Sequence, residues 1–161
     1  MPGELVVRVA EFHAARGDAV LASVGLGSCV AILLHDPETG VGGLAHILLP
    51  SRSLSRAGDN PGRFPQAAVP ALVTEMLALG ADRRRLVARL VGGASMFANL
   101  VPAGSIQMGD RNVIAVREVL NQQAIPIVAE AVGGTQGRSV WFHAGEGRVT
   151  VRVVGQRETL L

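Results

Sequence analysis

Cys29-Val30-Ala31-Ile32-Leu33-Leu34, then His35-Asp36-Pro37-Glu38-Thr39-Gly40, then Val41-Gly42-Gly43-Leu44-Ala45-His46-Ile47-Leu48 is the stretch that decides how this chain folds. The first block is a continuous apolar run of strand length, as expected for a buried strand. The second is dense in turn formers. The third returns as a strand, so the two runs form a hairpin that brings His46 back toward the start of the Cys29 strand. Upstream lies Val24-Gly25-Leu26-Gly27-Ser28, a small-residue turn leading straight into the thiol. Such a turn can leave a sulfur open to substrate, and thiol plus imidazole is a minimal kit for covalent acyl chemistry.

Outside the hairpin, strands are predicted over 5–9, 19–24, 86–91, 125–131, 139–143 and 149–154. Gly92-Gly93, Gly133-Gly134 and Gly145-Glu146-Gly147 punctuate them. A helix is predicted over 64–79, with Val69, Leu72, Val73, Met76 and Leu79 at helical spacing and Gly80 as its stop. Pro65 suits its first turn, whereas Pro70 predicts a kink or a later start. A second helix is predicted over 110–123, with Asp110 as N-cap and Val113, Val116 and Leu120 as its apolar stripe. Ala94-Ser95-Met96-Phe97 reads as a short helical turn, and 51–63 as a polar loop. Strands outnumber helices without βαβ alternation, which argues for α+β in a single domain spanning residues 1–161.

The 161 residues are 48% apolar and 3% aromatic, so the core is aliphatic and a stacking platform for single-stranded nucleic acid is disfavoured. All 15 basic residues are Arg. Lysine chemistry is therefore excluded: no Schiff base, no phosphate-loop lysine, no Ser–Lys dyad. The basic run Arg83-Arg84-Arg85 reads as a solvated loop rather than a nucleic-acid contact. One cysteine rules out an internal disulfide and a CxxC metal site. Met1-Pro2-Gly3-Glu4 lacks the features of a secretory leader, and no apolar stretch reaches membrane-spanning length. A cytoplasmic protein without membrane insertion is expected.

A free thiol is mostly protonated at neutral pH, and a neighbouring imidazole can take its proton. A third group must orient the ring; a hydroxyl or a backbone carbonyl can do so. Ser23, in the preceding segment, is placed to present a hydroxyl to the far side of the imidazole. An oxyanion would need donors, and backbone N–H groups around Gly27, Ser28 and Cys29 are the expected source. His13 is expected at the surface, His35 as a turn cap and His143 at a strand end. No two histidines have HExxH spacing and no carboxylate cluster has EF-hand spacing, so the metal signal is weak. Val24-Gly25-Leu26-Gly27 lacks the third glycine of a dinucleotide fingerprint and leads into a strand rather than a helix.

Five ordered blocks carry a resemblance to a known family: Gly25-Leu26-Gly27-Ser28-Cys29-Val30-Ala31, Gly42 to Pro50, Gly92-Gly93-Ala94-Ser95-Met96-Phe97, Met108-Gly109-Asp110-Arg111-Asn112-Val113, and Gly133-Gly134 with Arg138-Ser139-Val140. Together they resemble the signature of CheD, the chemoreceptor glutamine deamidase family. The resemblance implies hydrolysis of glutamine side chains on the cytoplasmic domains of methyl-accepting chemotaxis receptors, giving glutamate and ammonia, with no cofactor. It implies Cys29 as nucleophile, His46 as general base and Ser23 where the family usually has threonine. It implies a mixed β-sandwich with two principal outer helices, similar to bacterial toxin-type cysteine glutamine deamidases. A CheC-type phosphatase is an implied partner. The alternatives are a non-catalytic adaptor that binds such a phosphatase or a receptor, and another thiol acyl-transfer enzyme. The loop 51–63, directly after His46, is expected to help frame a substrate groove.

Overall fold

The computed structural model describes residues 3–54, 60–102 and 104–161. Ten strands and two α-helices lie among them: β1 (Glu4–Val6), β2 (Phe12–Arg16), β3 (Val20–Leu26), β4 (Val30–Asp36), β5 (Val41–Ile47), α1 (Pro65–Ala78), β6 (Val87–Gly92), α2 (Met108–Gln122), β7 (Ile127–Val132), β8 (Arg138–His143), β9 (Arg148–Val153) and β10 (Glu158–Leu160). They form two five-stranded sheets, ordered β1-β3-β8-β9-β10 and β2-β5-β4-β6-β7. Each sheet is mixed, because β1 runs parallel to β3 and β6 parallel to β7 while the other pairings are antiparallel.

The central hairpin explains the layering. β4 and β5 pair in register from Val30↔Ile47 to Asp36↔Val41. Side chains alternate across a strand, so Ala31 and Leu33 point one way and Val30, Ile32 and Leu34 the other. Ala31, Leu33 and Leu44 pack against Leu21, Val140, Phe142 and Val151 of the first sheet. Val30, Ile32 and Leu34 pack against Val69, Leu72 and Met76 of α1 and Val113, Val116 and Leu120 of α2. Both faces of the hairpin are thus covered, which is why its sequence is a continuous apolar run. Each fully buried Leu or Ile contributes roughly 1.5–3 kcal/mol. This is the α+β arrangement read from the sequence, with two helices outside a pair of mixed sheets.

Several details differ from expectation. β2 and β10 are additional strands, both at sheet edges. α2 begins at Met108, with Gln107 at the N-cap position; Asp110 instead lies in its first turn, where a negative charge meets the positive end of the helix. α1 starts at Pro65 and runs through Pro70. The short helical turn falls at Ala98–Leu100 rather than over 94–97. Loop 51–63 contains 3₁₀ turns at Arg52–Leu54 and Pro61–Arg63, and its residues 55–59 lie outside the described residues. No helix among the described residues is long and apolar enough to cross a membrane.

Arg83–Arg85 forms a 3₁₀ turn rather than a wholly solvated loop. Arg84 is solvated beside Asp82, but Arg85 forms a two-pronged pair with the fully buried Asp36, Nε to Oδ1 and Nη2 to Oδ2 both at 3.0 Å. The Asp82 and Glu38 backbone N–H groups also donate to Asp36, at 2.8 and 3.0 Å. His35 is a buried strand residue rather than a turn cap. Its Nε2 lies 2.9 Å from the Ala144 carbonyl, and its ring meets Phe142 edge-on. His13 is half-buried in β2.

Candidate active site

The turn before Cys29 is shaped by a bulge. The β3–β8 register shifts between Ser23 and Leu26, and Gly25 takes a left-handed φ of 70° there. A bulge bends its strand and re-aims the residues beyond it. The Gly25 N–H is held by the Ser139 hydroxyl at 3.1 Å. Further on, Ala94 N–H donates to Gly27 O and Gly93 N–H donates to Cys29 O, both at 2.8 Å. Gly92 is required beside this contact: its φ is 118°, and a Cβ there would lie 2.2 Å from the Cys29 carbonyl oxygen.

Cys29 immediately precedes β4 and is half-buried against the layer between the sheets. Ala31 is paired directly with His46, so Cys29, two residues earlier, shares the face of His46 as its diagonal neighbour. Diagonal pairs are typically about 7–8 Å apart at Cα. Next to the turn, a cavity of about 250 Å³ has Ser28, Ser95, Met96, Phe97, Met108 and Gly109 in its lining. Met96 and Phe97 in its lining are strongly exposed apolar side chains.

His46 is buried on β5, with its main chain held by Glu11 O and Ala10 N–H. Its Nδ1 lies 3.1 Å from the Val7 carbonyl. A carbonyl can only accept, so Nδ1 carries the proton and Nε2 is left as the basic nitrogen. Burial pushes the imidazole pKa down, partly offset by the Val7 carbonyl and Glu11. Burial pushes the Cys29 thiol up, partly offset by its own backbone N–H. Neutral thiol beside neutral imidazole is the resting state these directions favour.

Ser23 is fully buried, but its hydroxyl donates to Val7 O at 2.7 Å rather than to the imidazole. Ser23 and His46 project from different sheets into the same layer, and the Val7 backbone lies between them. The oxygen that holds the ring is therefore a backbone carbonyl, a group that no residue identity announces. The backbone N–H groups of Gly27, Ser28 and Cys29 have no acceptor among the described residues, as an oxyanion site requires.

Asn112 was not singled out from the sequence as a site residue. It is fully buried on α2, and its Nδ2 donates to Ser28 O at 2.9 Å and Leu48 O at 3.0 Å. The available signal was an amide on the apolar stripe of a helix, next to Val113 and four residues before Val116. His143 sits at the end of β8 beside Glu146 and Arg148, away from Cys29. Among the described residues no group of three His, Cys, Asp or Glu side chains could hold a metal ion.

Comparison with known proteins places the chain in a family. The family described as CheD chemotactic sensory transduction matches residues 48–153. A protein of Caldanaerobacter subterraneus is 40% identical over 151 residues, covering 94% of this chain and 93% of that one. A protein of Archaeoglobus fulgidus is 40% identical over 152 residues, covering 94% of each. One of Desulfitobacterium hafniense is 38% identical over all 161 residues and all of its own length. Each of the three is named "Probable chemoreceptor glutamine deamidase CheD". Among solved structures, the Bacillus licheniformis hypothetical protein YfiH is similar with a TM-score of 0.48 and 14% identity, over 77% of this chain and 51% of that one. By the family match and by near full-length identity to these relatives, this chain belongs to the CheD family.

Proposed function

We propose that this protein is a cysteine-dependent amidohydrolase that deamidates glutamine side chains of chemoreceptors. The observation that carries the reading is the placement of Cys29 and His46 on one face of the β4–β5 hairpin, with Nε2 of His46 free to accept a proton. The names of the relatives support the substrate class. The exposed Met96 and Phe97, which line the cavity together with Ser28, favour a protein over a small solute, because apolar surface of this kind marks protein contacts.

The cycle uses side chains and backbone only. His46 Nε2 takes the Cys29 proton as Sγ bonds to the glutamine amide carbon. The N–H groups of Ser28 and Cys29 hold the resulting oxyanion, with Gly27 allowing the turn that exposes them. As the tetrahedral intermediate collapses, the carbon–nitrogen bond breaks and the imidazolium gives its proton to the departing ammonia. Water then attacks the thioester while His46 takes a proton from it. The carbon–sulfur bond breaks, leaving glutamate, and the thiolate recovers its proton. Cys29 Sγ makes no hydrogen bond among the described residues in the free protein; such contacts commonly tighten only with substrate present. Val7 O keeps the ring in one tautomer throughout, with Ser23 bracing that carbonyl.

The test is incubation with chemoreceptor cytoplasmic fragments, reading ammonia and the Gln-to-Glu mass change. The wild type deamidates, whereas Cys29→Ala and His46→Ala do not. Deamidation that persists in both variants defeats the reading. Receptor binding without deamidation by the wild type makes the chain an adaptor. Co-purification with a CheC-type phosphatase, carried out on the same samples, tests that partner.

A further inference from the structure

We propose that Asn112 is a positioning residue that sets the oxyanion site by fixing the Ser28–Cys29 peptide plane. The inference rests on the acyl chemistry proposed above for Cys29 but not on the identity of the acyl donor. Three observations converge on it. First, both Nδ2 protons of Asn112 are committed: one to Ser28 O at 2.9 Å, the other to Leu48 O at 3.0 Å. Ser28 precedes the nucleophile, and Leu48 lies two residues after the general base. One buried amide therefore ties the nucleophile's turn to the strand that carries His46.

Second, the peptide is trans and planar, so its C=O and N–H point in opposite directions. Pulling Ser28 C=O toward α2 turns the Cys29 N–H to the opposite side. That N–H has no acceptor among the described residues. A donor beside the nucleophile's own sulfur is where a tetrahedral oxyanion forms.

Third, the amide is a poor choice for packing alone. Asn112 is fully buried between Val113 and the ends of β4 and β5, and its Oδ1 has no hydrogen-bond partner. A buried acceptor left unpaired opposes folding, and the amide accepts that cost while pairing Ser28 O and Leu48 O, which an aliphatic side chain would leave without this donor. The orientation imposed on Ser28 O is what the amide supplies in return.

The experiment compares two reactions of Cys29 in the intact protein. Acylation by p-nitrophenyl acetate passes through an oxyanion; alkylation by iodoacetamide does not. Asn112→Ala is expected to slow acylation by about 100-fold, the scale of losing one oxyanion donor, while alkylation changes by less than about threefold. Asn112→Asp keeps the shape and removes both donors. Its acylation is expected to recover partly as pH falls, because a protonated carboxyl regains one O–H for Ser28 O. Acylation and alkylation that change by the same factor, or a folded Asn112→Ala with normal acylation, overturn the proposal. So does a wild type that is alkylated but never acylated. If Asn112→Ala does not fold, Asn112→Asp decides by the same ratio. Receptor deamidation measured on the same wild type separates the two readings: acylation without deamidation removes the proposed substrate and leaves the role of Asn112 standing.

Discussion

Ser23 and His46 are linked through one oxygen: the Ser23 hydroxyl at 2.7 Å and the His46 Nδ1–H at 3.1 Å both donate to the Val7 carbonyl. A carbonyl has two lone pairs and can serve both. Ser23 therefore reaches the ring only through the Val7 carbonyl.

This relay predicts a mild phenotype for Ser23→Ala. Loss of the buried hydrogen bond costs about 1 kcal/mol. Passed on to ring orientation, that amounts to roughly a fivefold fall in kcat. Ser23→Thr keeps the hydroxyl and should retain both activity and stability. Steady-state deamidation and thermal unfolding check this. A hundredfold loss in Ser23→Ala would mean that the hydroxyl contacts the ring during turnover.

The buried pair predicts a particular pH dependence. His46 stays neutral to lower pH than a free imidazole, and Cys29 stays protonated to higher pH than a free thiol. Deamidation kcat/KM should therefore hold a plateau that extends below the usual histidine range. Alkylation of free Cys29 by iodoacetamide should rise only above the usual thiol range. A low-pH alkylation plateau would reveal a standing thiolate–imidazolium pair instead.

Asp36 predicts acid sensitivity. It is fully buried and paired with Arg85, whose hydrogen bonds hold its carboxyl well below the usual carboxylate range despite the opposing effect of burial. The folded state thus releases this proton more readily than the unfolded chain. The pair's contribution is complete above the unfolded carboxylate pKa of about 4 and is lost as pH falls toward the folded value. Asp36→Ala should cost about 3 kcal/mol at neutral pH, since it strands a partly buried guanidinium. Denaturant unfolding at pH 7 and at pH 3 should show the variant's deficit shrinking in acid.

Phe97 predicts a split between binding and folding. It is 68% exposed beside the Ser28–Met108 cavity. Phe97→Ser should change stability by no more than about 0.5 kcal/mol, yet raise KM for a receptor fragment. Acylation by p-nitrophenyl acetate should be unaffected. An unchanged KM would remove this side chain from the substrate path.

Much of the fold was legible because it rests on local pattern. The β4 and β5 runs, the α1 and α2 stripes and the glycine turns each declare themselves within a dozen residues. β2 and β10 did not, because Phe12–Arg16 and Glu158–Leu160 are short edge strands. Their strand character comes from partners on β5 and β9 rather than from alternation of their own. Asp36 and Arg85, 49 residues apart, look like an ordinary turn residue and an ordinary basic run until the chain brings them together.

The site divides in the same way. Cys29, His46 and the turn of Gly27 and Ser28 stand out in the sequence as candidates, since thiol, imidazole and small residues have few equivalents, and the register of the hairpin aligns Cys29 with His46. Val7 and Asn112 do not stand out in the same way, because a backbone oxygen has no sequence signature and a lone amide on a helix's apolar stripe does not say which groups it bonds. Sequence alone determined which atoms are available for chemistry and that a hairpin returns one to the other. Only tertiary structure decided which nitrogen of His46 is basic and which peptide groups stay unpaired, because those depend on hydrogen bonds between segments that meet only when two sheets and a helix close on one layer.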